Sequence, residues 1–239
     1  MSSVEPSLVP IAETDDNPGL MKEDVEENNK INNDSQTVFR RLIHVAWLSI
    51  ILGILLEIIL VVIAGVSQSL GNSKPVIVDL VQKVSWSFFV CMGLAVGTAV
   101  TKTRVATMGL MGLLAAPMAF YIARALHKAL AQALSLTNSA ALSGPSPLLL
   151  ATCKALEYCF LGMALGWLAT NHKNKTWHYL VVGIFTGIVF GGSIVTIMAN
   201  TMTQPLIGVA LYTRLANEIL FPVGCALVIF SADTLARQK

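Results

Sequence analysis

The sequence predicts an all-α, polytopic transmembrane helix bundle of about six spans. Three observations carry this reading: a shortage of charge, six apolar stretches of membrane-crossing length, and basic turns that alternate with nearly uncharged ones. Of 239 residues, 54% are hydrophobic and 13% charged, about half the charged share of a soluble domain, and the mean hydropathy is +0.67. A helix needs about 20 predominantly apolar residues to cross the hydrocarbon. Residues 42–66, 76–100, 105–126, 148–170, 177–199 and 206–232 supply six such stretches within a transmembrane domain covering 39–239. The third stretch has room to continue past Arg124, His127 and Lys128 as an amphipathic end reaching Leu134.

Residues 1–38 differ from the rest. They hold nine acids against Lys22 and Lys30, a net −7, while the remaining 201 residues hold fourteen bases and five acids, a net +9. The tail contains Pro6, Pro10 and Pro18 and no aromatic residue until Phe39. A segment so poor in apolar surface cannot offset its chain entropy, so a disordered acidic tail is expected. It lacks the basic start and apolar run of a signal peptide.

Orientation follows from the short connections, because Lys and Arg concentrate on the cytoplasmic side. Arg40 and Arg41 precede the first span, Lys102 and Arg104 separate the second from the third, Lys173 and Lys175 the fourth from the fifth, and Arg237 and Lys239 close the chain. With six spans all four sites fall on one side. The opposite connections carry Lys74 alone, with Arg124 and Lys128 at the far end of the third span. The expected topology is N-in, C-in.

Glycines mark where helix backbones approach one another. Gly93 and Gly97 share one face of the second span, Gly162 and Gly166 one face of the fourth, and Gly183, Gly187 and Gly191 one face of the fifth. Packing within the chain is the expected use, with the fifth span central in the bundle. The stretches 92–101 and 161–170 share Gly-x-Ala-x-Gly and a Thr four residues later, a hint of internal repetition of the kind transporters contain.

Intramembrane charge is the most informative feature. Glu57, Glu157 and Glu218 lie well inside spans; Lys154 precedes Glu157 by three residues and Arg214 precedes Glu218 by four, spacings that share a helix face. At about 1.5 Å of rise per residue, Glu57, Glu157, Arg214 and Glu218 fall about 12 to 18 Å from one membrane face. Lys154, Lys83 and Arg124 lie nearer that surface. Ionised residues at a helix centre cost about 2.5 to 3.5 kcal/mol each on insertion scales, so these groups are expected to face each other or water. The set forms one polar layer in the outer half of the bilayer, and Pro222, one turn after Glu218, is placed to free a backbone carbonyl beside it.

Other chemistry finds little support. The stretch Gly191-Gly192-Ser193-Ile194 lacks the final glycine of the Gly-x-Ser-Gly used by intramembrane serine proteases, and the sixth span has no histidine to act as base. There is no His-Glu-x-x-His, no paired Asp motif and no phosphate-binding loop. Cys91, Cys153, Cys159 and Cys225 sit in apolar runs without metal or redox spacing. His44, His172 and His178 belong near interfaces, as do Trp47, Trp86, Trp167 and Trp177. No enzyme activity, cofactor, metal or nucleic-acid partner is expected.

Two function classes remain. One is a small transporter, channel or permease subunit in which Glu57, Glu157 and Glu218 line a substrate or ion pathway tuned by Lys154 and Arg214. The other is a non-catalytic membrane subunit or assembly factor whose charges are structural. Besides the lipid bilayer, the expected contacts are a protein partner for the acidic tail or a second copy of the chain. The expected location is a bacterial-type inner (plasma) membrane, with thylakoid and other organelle membranes left open.

Overall fold

The computed structural model describes the backbone of residues 18–66, 73–99, 103–136, 145–171, 175–202 and 208–237, and the side chains of residues 35–65, 76–99, 103–136, 145–171, 175–202 and 208–235. All regular structure among the described residues is helical: α1 (Pro18–Val66), α2 (Ser73–Gly97), α3 (Arg104–Ala133), α4 (Pro147–Thr170), α5 (Thr176–Thr186), a π turn (Gly187–Gly191), α6 (Gly192–Thr201) and α7 (Val209–Arg237). Six helices among them are long and apolar enough to cross a membrane: Ser35–Gly65, Val76–Gly97, Arg104–Ala133, Pro147–Thr170, Thr176–Thr201 and Val209–Leu235. The chain divides into two units, residues 1–37 and 38–239, at the point where the composition changes. Helix α1 begins at Pro18, inside the stretch expected to be disordered. Proline suits a first helical position, where its missing N–H has no acceptor to lose. Residues 1–17 lie outside the described residues. The helix bundle is built from the unit 38–239.

Local chemistry accounts for the helix ends. The Ser146 hydroxyl accepts a hydrogen bond from the Leu149 N–H at 3.2 Å and Pro147 occupies the first position of α4, the usual way to start a helix. Helix α3 runs to Ala133, along the amphipathic extension for which the sequence has room, since no helix-breaking residue intervenes after 126. It closes where Ser135 takes a left-handed conformation (φ 54°) and the Leu136 N–H reaches the Ala131 carbonyl at 2.9 Å. Pro117 and Pro222 are carried inside α3 and α7.

Small residues set the packing. A Cβ at Gly97 would stand 2.7 Å from the Met108 Cα, and one at Gly93 would overlap Ala115, so α2 lies directly on α3. A Cβ at Gly162 would overlap the Met108 carbonyl and one at Gly166 would stand 2.8 Å from the Val105 Cα, which puts α4 on the same helix. The two Gly-x-Ala-x-Gly stretches therefore both close on α3 near Met108. Cβ atoms at Gly183, Gly187 and Gly191 would meet Val223 Cα at 2.6 Å, Ile219 Cα at 2.8 Å and Glu218 Cβ at 2.8 Å. This stripe packs the fifth span against α7.

The fifth span is not central, contrary to expectation. Its other face, with Val181, Phe185, Ile188 and Val189, is exposed, and the most buried spans are α4 and α7. A glycine stripe admits one neighbour closely, and here the opposite side carries apolar side chains suited to lipid. Trp86 is also placed differently from the expectation of an interfacial aromatic. It is buried while Trp47, Trp167 and Trp177 are exposed, because three aromatic rings from α3, α4 and α7 enclose it.

Candidate functional site

Two groups of ionisable side chains, about 22 Å apart along α7 by helical rise from Glu218 to Asp233, hold the bundle at its two ends. At one end Asp233 of α7 accepts from Arg104 of α3 at 2.6 Å and pairs with Arg41 of α1, whose other terminal nitrogen donates to the Thr98 hydroxyl at 3.0 Å. Three helices meet there on one carboxylate, and Arg41 ties in Thr98, just past the end of α2. Sequence reasoning misses Asp233 as a site residue, although a signal for it exists: it is the one acid outside the tail at the end where arginines gather.

The other end carries the sequence-derived site residues. Lys154 Nζ donates to Glu157 Oε2 at 2.7 Å, one turn along α4, and to Glu218 Oε2 of α7. Arg214 Nε lies 3.2 Å from the other Glu218 oxygen, Oε1. Glu157 and Glu218 are 0% and 1% exposed. Glu157 Oε1 has no hydrogen-bond partner among the described residues. Glu57 does not join this cluster; it pairs with Lys83 across α1 and α2. Arg124 makes no ion pair among the described residues. Four of the five expected pathway residues thus come together, and the fifth forms a separate pair.

Aromatic rings form the floor beneath the lysine. The Trp86 ring stands edge-on to Phe120, Tyr158 and Phe221, with centroids 6.5, 5.8 and 6.4 Å away. The Lys154 ammonium lies 5.8 Å from the Trp86 centroid and 5.9 Å from that of Tyr158, close enough for a cation–π attraction. One ammonium is held by two carboxylates and two rings.

A cavity of about 520 Å³ opens above this floor, within the size range of small-molecule sites. Lys83, Lys154, Arg214 and Glu218 line it, joined by the amides of Gln82 and Asn217 and the Thr213 hydroxyl. Leu60, Met198, Met202, Val209 and Phe221 make the apolar part of the wall. Glu57 and Glu157 stand behind the wall, each turned toward its cation. At the mouth is Asp79, whose side chain is 48% exposed and 3.4 Å from His127 Nε2. The π turn belongs to the same construction. It brings Gly191 against Glu218, and a Cβ at 191 would stand 3.1 Å from the Glu218 carbonyl oxygen. Pro222 has no N–H to return to that carbonyl.

No protein-family model matches the chain, no curated protein matches it, and no solved structure matches it. The fold and site define a class: a six-helix membrane-type bundle with a charged cavity at one end and an arginine–aspartate clasp at the other.

Proposed function

We propose that this protein is a small membrane transporter, channel or permease subunit, and that the cavity above Lys154 is its solute site. The supporting observation is the meeting of the buried charges with an open cavity. A purely structural set of ion pairs gains nothing from an adjoining 520 Å³ space. Yet Lys83, Lys154, Arg214 and Glu218 all present part of their surface to it. With the basic connections inside, the cavity opens outward and the Arg41–Asp233–Arg104 clasp closes the cytoplasmic end. Glu57 and Glu157 act in this reading as counter-charges that hold the cations in place rather than as ligands.

One observation favours the second reading, a non-catalytic subunit of a larger membrane assembly docked through its acidic tail. Every carboxylate in the layer has a cationic partner, as a structural set requires. Currents from proteoliposomes on a solid-supported membrane separate the two. A panel of small organic anions, cations and zwitterions should yield a charge-displacement current with one class, abolished by filling the cavity with Ala210→Trp. A chain that gives no current with any class, and behaves the same with Ala210→Trp, is the structural subunit.

A further inference from the structure

We infer that the cavity takes an organic anion, a carboxylate-type head on an apolar body, with Arg214 as its principal anchor. This rests on the reading of the cavity as a solute site and names what that site recognises.

The assignment turns on which polar atoms remain free. A cation would need carboxylates, and each buried one already faces a cation of the chain. Glu218 accepts from Lys154 through Oε2 and faces the Arg214 guanidinium with Oε1, while Glu57 faces Lys83. Glu157, wholly buried, does not line the cavity. Among the described lining residues the other carboxylate is Asp79, half-exposed beside His127. The donors are not exhausted. Arg214 Nε stands 3.2 Å from Glu218 Oε1 as an ion pair without a hydrogen bond; its two terminal nitrogens make no hydrogen bond among the described residues, and its side chain is 38% exposed. That leaves the outer edge of the guanidinium fork, the geometry that grips a carboxylate or phosphate with two parallel hydrogen bonds. Lys83 lines the cavity with one carboxylate for its three N–H groups, and Asn217, one turn before Phe221, adds an amide. The ion pair with Glu218 lies on the Nε side of Arg214 and leaves the terminal fork unoccupied.

The rest of the wall describes the other half of the ligand. Leu60, Val209 and Phe221 are apolar, and Met198 and Met202 are flexible thioethers that adapt to varied shapes. A fully hydrated inorganic anion would leave this surface wet. An amphipathic anion covers both parts. Such a head belongs either to a soluble organic acid or to an anionic lipid.

The test uses Trp86, which lines the cavity floor, as reporter. The other three tryptophans are exposed, so Trp47→Phe, Trp167→Phe and Trp177→Phe leave it as sole emitter. Three bromoaryl quenchers of matched size are titrated onto the full chain in phosphatidylcholine nanodiscs: 4-bromobenzoate, (4-bromophenyl)trimethylammonium and 4-bromobenzyl alcohol. Saturable quenching is expected from the benzoate alone, weakened about tenfold in Arg214→Gln by loss of a charged bidentate contact and partly retained in Arg214→Lys. Glu218 keeps Lys154 in both variants, so the cluster survives. Repeating the titration in discs containing phosphatidylglycerol separates the sources: competition assigns the site to lipid headgroups, unchanged binding to soluble acids. Saturation by the ammonium compound instead overturns the anion assignment while leaving a solute site. Unsaturable quenching by all three overturns both. Equal benzoate affinity in wild type and Arg214→Gln removes Arg214 as the anchor.

Discussion

Lys154 of α4 and Glu218 of α7 are joined directly across the bundle, and both are buried. This bond converts two local helix pairs, Lys154–Glu157 and Arg214–Glu218, into one four-residue chain of charge. The consequence is that the four members are unequal, and the difference is measurable.

Removing Lys154 should be far worse than removing either carboxylate. Lys154→Met strands Glu157, which has no other ionic partner among the described residues, and an uncompensated buried charge costs about 3 to 5 kcal/mol. Glu157→Gln leaves Lys154 with Glu218 and should change thermal stability little. Lys154→Met combined with Glu157→Met leaves the Arg214–Glu218 pair intact and should recover most of the loss. Melting of purified single and double variants checks the order.

At the opposite end the asymmetry reverses, because two arginines share one acid. Asp233→Asn leaves Arg41 and Arg104 converging on a neutral amide, and should cost about 3 to 5 kcal/mol. Arg41→Gln leaves a one-to-one Arg104–Asp233 pair and should cost less than half of that. Equal losses in the two variants would show that the clasp does not depend on its charge balance.

The glycines of the fifth span should divide sharply. A Cβ at Gly187 would stand 2.8 Å from the Ile219 Cα and 3.0 Å from its carbonyl oxygen, so Gly187→Ala must push α7 away, at about 1 to 3 kcal/mol. A Cβ at Gly192 meets nothing within 4 Å, and Gly192→Ala should be neutral or gain up to about 1 kcal/mol from helix propensity. Thermal melts of the two alanine variants in the same detergent give the comparison.

Much of this arrangement is legible in the sequence, and the division is physical. Span number follows from hydrophobic length, which is local. The Lys154–Glu157 and Arg214–Glu218 pairs follow from spacings of three and four along one helix. Which helices touch is not local: nothing in the periodicity says that Glu57 meets Lys83, that Lys154 reaches Glu218, or that Arg41 and Arg104 converge on Asp233. The same limit misplaces Trp86 and the fifth span. A tryptophan near a helix end resembles an interfacial anchor until three aromatic rings from other helices surround it, and a glycine stripe shows that a neighbour comes close without showing how many neighbours there are.

Hydration of the cavity is the most direct test of the central claim that a solute reaches the charged floor. Asn217 lines the cavity, and Ile188 on the π turn is exposed on the apolar face. Cysteine is placed at each position in turn, and a charged, membrane-impermeant thiol reagent is added to one side of sealed vesicles, with the unsubstituted chain as blank. Asn217→Cys should react from the side opposite the basic connections, and Ile188→Cys should stay unlabelled from either side, since a thiol facing lipid meets neither water nor reagent. An Asn217→Cys as inert as Ile188→Cys would mean a dry cavity, and the charges beneath it would then be structural pairs alone.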